Sequence, residues 1–194
     1  GRFGDDPSSL AKRRANHLLE SIKEWRVFDG THVVSKITGE YWSTPEPERP
    51  KYICVDVIGV GASVVDQLKN HAKLPGVSVI AVNVAETAAN NELCHRLRDD
   101  LWWSGRQWFE QLDCFIPDDP GLVEELSTPT YDFTKAQKVI VESNDEMKRR
   151  TGVKSPNRAD AFLLTFACRD EPRGMIWDTH RRTAANDGCT HMAA

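Results

Sequence analysis

The sequence predicts an α/β protein in which a two-stranded β-ribbon is inserted before the last helix. Residues 52–82 run from strand to helix to strand with short connections, an order that favours parallel strands joined by a right-handed crossover. Residues 9–27 lack a helical stripe of apolar side chains and predict a hairpin of two strands. Residues 131–141 predict the shorter ribbon. Together these segments place the chain in the α/β class.

Turn, cap and periodicity signals justify the other elements in order. A polar break at Asn16 and His17 divides the hairpin, and Asp29 is placed to cap the helix that follows it. In chain order, the predicted elements are a hairpin over residues 9–27, a helix over 29–40, a loop over 43–50, a strand over 52–57, a helix over 62–72, a strand over 77–82, a long helix over 91–112, a short helix from 120, the ribbon over 131–141, a basic helix over 145–150 and a last helix over 157–167.

The long helix over residues 91–112 is predicted from leucine and tryptophan side chains near helical spacing. Its tryptophans, Trp102, Trp103 and Trp108, are predicted to pack in the core rather than to form a recognition surface. The segment STPEPERP, over residues 43–50, cannot remain helical because of its prolines, and it is predicted to be a loop.

The composition is that of an ordinary globular protein, with 40% hydrophobic and 28% charged residues among 194. We predict one domain over residues 1–167 and a flexible, polar tail over 168–194. No window approaches the roughly 20 apolar residues of a membrane span, so we expect no membrane partner.

The five cysteines are scattered without a CxxC pair, which argues against a disulfide framework or a thiolate zinc site and favours a reducing cytoplasm. With a net charge of −4, attraction to nucleic acid requires local basic patches.

A single carboxylate, Asp56, ends the strand of the segment KYICVDVIGVGASVVDQL. The order of residues argues against a dinucleotide-binding loop, because in that motif the glycines directly follow the strand and the acid comes about 20 residues later. Here Asp56 precedes Gly59 and Gly61, and no P-loop motif occurs. Asp56 is therefore either a helix cap or an acid displayed at the carboxyl end of a parallel strand, where open α/β sheets place their sites.

A second acid, Asp160, lies among small and apolar residues in the last helix, within KSPNRADAFLLTFA. A carboxylate in such surroundings is costly to bury unless it has a cation as partner. A third acidic feature, Asp5 with Asp6, precedes the hairpin. Carboxylates that converge from separate segments form a hard-oxygen site suited to Mg²⁺ or Mn²⁺. The histidines show no zinc-hydrolase spacing, and no GxSxG motif is present.

Three motifs, taken in order, resemble the C-terminal nuclease domain of the large terminase subunit of tailed bacteriophages. They are RFGDD near the start, VDVIGVGASVVDQL in the middle and VIVESNDEMKRRTGVKSPNRADAFLL near the end. The resemblance covers roughly residues 1–167. It implies a ribonuclease H-like fold, with a mixed sheet flanked by helices, and a metal-dependent endonuclease that cuts double-stranded DNA during genome packaging.

By this resemblance, Asp56 and Asp160 are catalytic acids that bind metal, and Asp5 is a further acid near the metals. The cofactor is expected to be Mg²⁺ or Mn²⁺, as two ions that activate water and stabilise the leaving oxygen. The resemblance also implies an upstream ATPase domain, the small terminase subunit and the portal protein as partners. The expected location is the host cytoplasm, with transient association with the procapsid portal.

DNA would be held through its phosphates, since a packaging nuclease needs little sequence preference. The candidate contacts lie close to Asp160 in the sequence, and the alternative for them is an ordinary solvated helix face. They are Lys148, Arg149, Arg150, Lys154 and Arg158.

The sequence departs from the family pattern at two places. The family's first strand carries an acid just before the RFG motif, so that strand and acid are expected outside this sequence. At Asn144 the family often carries a lysine, and the corresponding contact is then either absent or supplied by Lys148. An alternative function is therefore a catalytically silent ribonuclease H-like module that binds DNA or the portal. A nucleotide-binding α/β domain is a third possibility.

Overall fold

The computed structural model describes residues 7–26, 29–168 and 190–193. Asp5 and, in the predicted tail, residues 169–189 and 194 lie outside this part. Among the described residues, none of the helices has the length and apolar character needed to span a membrane. The strands are β1 (Ser8–Arg14), β2 (His17–Leu18), β3 (Lys23–Trp25), β4 (Tyr52–Asp56), β5 (Ser78–Val82), β6 (Tyr131–Phe133), β7 (Val139–Val141) and β8 (Thr190–Ala193). The helices are α1 (Gly30–Ser43), α2 (Gly61–Asn70), α3 (Leu97–Glu110), α4 (Pro120–Ser127), α5 (Asn144–Thr151) and α6 (Asn157–Leu164), with short 3₁₀ turns at Glu46–Glu48 and Thr165–Ala167.

The main sheet is mixed, as predicted. Its order is β2-β1-β8-β4-β5, and β3 pairs with the other end of β1. Strands β4 and β5 are parallel, which confirms the predicted crossover unit, and β1 is antiparallel to β2 and β3. Strands β6 and β7 form the separate antiparallel ribbon that was predicted before the last helix.

Strand β8 lies at the centre of the sheet, which differs from the prediction of a flexible tail for these four residues. It is antiparallel to β1 and parallel to β4, and Met192 and Ala193 are fully buried. The short sequence THMA carries no strand signal of its own. It joins the sheet because β1 and β4 each offer an edge that must be paired. The last pair joins Ala193 to Cys54, so Asp56 lies two residues beyond it.

Helices cover both faces of the sheet. Successive side chains of β4 point to opposite faces, so neighbouring residues of this strand pack against different helices. Ile53 and Val55 pack with α1 and α2 in one core cluster. Cys54 points the opposite way, into the cluster formed by α3 and α6 with Phe162 and Trp108. Asp56 has the same parity as Cys54, so its side chain leaves the sheet on the face that α6 covers. This alternation brings the two segments with predicted acids together.

Three local predictions differ from the structure. Helix α3 begins at Leu97 rather than near residue 91, because the residues before it form turns against the neighbouring loops. The second hairpin strand is broken into β2 and β3, which pair with opposite ends of β1. Trp108 is buried as predicted, whereas Trp102 and Trp103 are half-buried.

The expectation of unlinked cysteines is wrong for one pair. Cys54 on β4 and Cys168, just after α6, are joined by a disulfide with a Cα–Cα separation of 6.6 Å. Cys54 is fully buried and Cys168 nearly so, so the link lies between the sheet and the helical layer. The sequence could not reveal it because 114 residues separate the two positions.

Candidate active site

Asp56 occupies the carboxyl end of β4, in the position that the sequence predicts. Its Oδ1 accepts a hydrogen bond of 3.0 Å from the backbone N–H of Ile58, which holds the side chain in a local turn. Helix α2 is capped at Val60 without a side-chain hydrogen bond, so Asp56 is not its cap. Burial raises the pKa of the Asp56 carboxyl above its ordinary value.

Two glycines shape the turn beside Asp56. Gly59 adopts a left-handed φ of 77°, which few other residues tolerate. Gly61 lies directly against the backbone carbonyl of Asp56, and a Cβ at this position would collide with that oxygen. These two glycines therefore let the chain reverse from strand to helix directly against the end of β4.

Asp160 lies in the first turn of α6, and its backbone N–H donates to the carbonyl of Pro156 at 2.8 Å. The residues beside it, Ala159 and Ala161, are buried and small enough to let the helix approach the sheet. Burial, together with the smaller effect of the neighbouring Asp56 charge, raises the pKa of the Asp160 carboxyl to about 6. The guanidinium of Arg98 opposes this rise. Burial of Asp160 without a full counter-charge is the condition in which a carboxylate favours a cation.

A cavity of about 750 Å³ joins these groups. Asp56 and Asp160 both line it, so the two predicted acids share one site although 104 positions separate them in the sequence. The other side chains that matter for the site are Arg98, Trp102 and Asn144.

Arg98 was not singled out from the sequence, yet it lines the cavity together with Arg96 and is the cation that acts on Asp160. Its Nη1 donates to the carbonyl of Glu142 and its Nη2 to Oδ1 of Asn144, both at 2.9 Å. Because Oδ1 of Asn144 accepts from Arg98, the amide nitrogen is left to donate to Asp160, and this hydrogen bond lowers the pKa of Asp160. A chain of two hydrogen bonds therefore connects Arg98 to Asn144 and Asn144 to Asp160.

The start of α3 places Arg98 in this position. Asp99, only 2% exposed, accepts hydrogen bonds from the backbone N–H of Val141 at 2.9 Å and from that of Arg96 at 2.8 Å. The backbone N–H of Arg98 donates to the carbonyl of Val84 at 3.0 Å. The end of the ribbon and the loop after β5 thus hold the first turn of α3 against the cavity. The only sequence signal for the role of Arg98 is its position next to Asp99 in the first turn of α3. Because the helix was predicted to start near residue 91, these two residues were not recognised as lying at its start.

The oxygen donors fit a hard divalent cation. Asp56 and Asp160 offer carboxylate oxygens at a sheet end, and no soft sulfur or imidazole ligand is needed. Within residues 7–26, 29–168 and 190–193, no cluster of three or more histidine, cysteine, aspartate or glutamate side chains is placed to hold a metal. The predicted further acid, Asp5, lies outside the described residues.

The predicted DNA contacts divide into two groups. Arg158 is engaged in ion pairs of 2.6 Å with Glu24 and 2.8 Å with Asp119. Arg150 pairs with Glu142 at 2.6 Å and also donates to the carbonyl of Thr128 at 2.8 Å.

The other three basic residues remain exposed. Lys148, Arg149 and Lys154 form no ion pair within the described part of the chain. Arg149 donates to the carbonyl of Asp145 at 3.2 Å. Arg98, rather than Lys148, is hydrogen-bonded to Asn144, where the family resemblance implies a lysine contact.

Comparison with solved structures identifies the fold. The chain is similar to the nuclease domain of the large terminase subunit gp2 of bacterial virus Sf6, with a TM-score of 0.70 and 18% identity over 87% of this chain and 85% of that one. A lysine-to-alanine variant of the same domain with manganese and β-thujaplicinol gives a TM-score of 0.71 over the same shares of the two chains. The large terminase nuclease of thermophilic phage G20c with bound magnesium gives 0.56 and 11% identity, over 86% and 84%.

No protein-family model and no curated protein matches the sequence. At these levels of identity the structural similarity establishes the fold. The chain has the ribonuclease H-like fold of the terminase nuclease domains, as the sequence motifs implied.

Proposed function

We propose that this chain is a metal-dependent endonuclease domain of a terminase large subunit, which cuts double-stranded DNA during genome packaging by a two-metal mechanism. The observation that carries the proposal is the meeting of Asp56 and Asp160 in one cavity at the carboxyl end of β4. Solved nucleases of the same fold contain manganese or magnesium, which supports the choice of cofactor. The proposed cofactor is therefore Mg²⁺ or Mn²⁺.

Asp56 and Asp160 would hold the metal, and Asp5 is proposed as a further ligand. When bound, two divalent ions supply the activation of the attacking water and the stabilisation of the leaving oxygen. The protein side chains prepare the site for them. The turn at Ile58 orients the carboxylate of Asp56, and the amide of Asn144 orients that of Asp160.

The exposed residues Lys148, Arg149 and Lys154 are proposed to contact DNA phosphates beside the cavity. They lie on α5 and on the loop that leads into α6, and α6 carries Asp160. Since the chain has a net charge of −4, such a local basic surface is needed for binding to DNA. Arg150 and Arg158 remain in the proposed contact set, although each would have to exchange an intramolecular carboxylate for a phosphate.

The proposed partners are double-stranded DNA, an ATPase domain of the same subunit, the small terminase subunit and the portal protein. The proposed location is the host cytoplasm, with transient association with the procapsid portal. These proposals rest on the shared fold and on the three sequence motifs.

The experiment compares plasmid nicking in Mn²⁺ by wild type, Asp56→Asn and Asp66→Asn, each extended by the upstream strand and acid that the family resemblance implies, with EDTA as the metal-free reference. Asp66 is exposed on α2, so its substitution removes the same charge without touching the cavity. We expect wild type and Asp66→Asn to nick in Mn²⁺ only, and Asp56→Asn to lose nicking while it remains folded. Nicking by Asp56→Asn at the wild-type rate would refute the site assignment.

One observation favours a second candidate function, a silent module that binds DNA or the portal without cutting it. Among the described residues no group of three or more acidic, histidine or cysteine side chains is placed to hold a metal ion, and beside Asp160 stands an amide, that of Asn144. The same nicking assay separates the two functions. A wild-type chain that binds duplex DNA but produces no nicks in Mn²⁺ would support the silent module.

A further inference from the structure

We propose that Arg98 is a phosphate-binding residue of the cavity and holds a non-bridging oxygen of the DNA backbone beside the two carboxylates. This inference rests on the proposal that the cavity receives a phosphodiester. It extends that proposal by assigning phosphate binding to a residue that the sequence motifs do not include.

The first step concerns the hydrogen-bonding capacity of Arg98. A guanidinium carries five N–H donors in a planar fork. Two of them are used, by the carbonyl of Glu142 and by Oδ1 of Asn144. Within the described part of the chain the other three donors have no acceptor, and the side chain lines the cavity. Three N–H donors of Arg98 are therefore available to a substrate in the cavity.

The second step concerns charge. Arg98 acts electrostatically on Asp160, yet no carboxylate among the described residues lies within ion-pair distance of its guanidinium. Arg158 and Arg150 differ in this respect, since each has a carboxylate partner at 2.6 Å. A half-buried guanidinium without an ion pair retains the capacity to bind an anion, and a phosphate oxygen matches its geometry.

The third step concerns rigidity. Arg98 lies over the indole of Trp102, with its guanidinium carbon 5.6 Å from the ring centroid. Asp99 fixes the backbone beneath it through the N–H groups of Val141 and Arg96. Hydrogen bonds at two atoms, a stacked ring and a tethered helix start hold the guanidinium in one orientation. A donor fixed before substrate arrives stabilises a developing charge without reorganisation, which is the arrangement that phosphoryl chemistry uses.

The test measures binding of a short duplex by fluorescence anisotropy in Ca²⁺, across a series of salt concentrations, for Arg98→Gln, Arg98→Lys and Arg106→Gln. Arg106 is the matched control, because it lies on the same helix, is exposed and pairs with Glu110 outside the cavity. We expect Arg98→Gln to bind about tenfold more weakly than Arg106→Gln. We also expect its slope of log affinity against log salt to be smaller by about one. Arg98→Lys should retain the slope and lose only part of the affinity.

A second readout separates substrate binding from a structural role. Titration with Mn²⁺ alone, followed by calorimetry, should give Arg98→Gln a metal affinity at least as high as that of wild type, because a neighbouring positive charge has been removed. Equal DNA affinity and salt slope for Arg98→Gln and Arg106→Gln would overturn the proposal. Loss of Mn²⁺ binding and of the folded state in both Arg98 variants would also overturn it, in favour of a structural residue.

The two proposals fail separately. If the wild-type chain never nicks DNA but Arg98→Gln shows the expected binding defect, the phosphate-binding assignment stands and the nuclease proposal fails. If wild type nicks in Mn²⁺ and Arg98→Gln binds and nicks with unchanged KM and kcat, the nuclease proposal stands and the assignment of Arg98 fails.

Discussion

Replacing Asp160 with asparagine removes a buried charge while preserving the shape of the side chain. In the metal-free chain the carboxyl of Asp160 has a pKa of about 6, compared with an ordinary value of 3.8, and burial is the main cause. The folded state therefore holds the proton more tightly than the unfolded state does. For such a group stability is greatest below the unfolded pKa and is lost as the pH rises through the folded pKa.

The magnitude follows from the difference between the two pKa values. Each pKa unit corresponds to about 1.4 kcal/mol, so the ionised Asp160 lowers the free energy of unfolding by about 3 kcal/mol above pH 6. Asp160→Asn should recover most of this amount at pH 8 and almost none of it at pH 4. For a chain of this size, about 3 kcal/mol corresponds to a rise in Tm of roughly 6–12 °C.

The assay is thermal unfolding of wild type, Asp160→Asn and the exposed control Asp66→Asn at pH 4, 6 and 8 in EDTA, repeated at pH 8 with Mn²⁺. We expect Asp160→Asn to be the most stable of the three at pH 8 in EDTA, and Mn²⁺ to stabilise wild type more than this variant. A Tm for Asp160→Asn at or below that of Asp66→Asn at pH 8 in EDTA would show that the buried charge carries no cost, and would refute the reasoning.

Two further predictions concern the frame of the site. Gly61→Ala should lower the free energy of unfolding by about 1–3 kcal/mol, because a Cβ at this position collides with the carbonyl of Asp56. The control Gly39→Ala lies in open space on α1 and should stabilise the protein by about 0.5–1 kcal/mol. Equal midpoints of urea unfolding for the two variants would contradict this prediction. Met192→Ala should cost about 2–5 kcal/mol because Met192 is fully buried between β1 and β4, and an unchanged urea midpoint would mean that β8 does not pair in the sheet.

The predicted crossover unit was confirmed because its signals are local. A buried apolar run ends at Asp56, two glycines follow, and an amphipathic helix leads to the next strand. Each signal depends on residues only a few positions apart. The same reasoning identified Asp160, since an acid among small and apolar residues is unusual in any helix that packs against a sheet.

The cationic side of the site could not be found in this way. Arg98 matters because Asp99 accepts the N–H of Val141, 42 positions away, and because Glu142 and Asn144 accept from its guanidinium. Likewise, Arg158 looks like an available cation in the sequence, yet folding brings Glu24 to it across 134 positions. Contacts between residues so far apart in the sequence produce no periodic pattern from which they could be predicted.

By itself, the sequence determined the α/β class, the crossover from β4 to β5, the ribbon before the last helix and the two acids. These features follow from side-chain alternation, helical periodicity and turn residues, all of which act over a few positions. Only the tertiary structure decided that residues 190–193 fill the centre of the sheet and that Arg98 faces Asp160. The physical reason is that an open strand edge and a buried carboxylate are satisfied by whichever partner the fold brings near, whatever its distance along the chain.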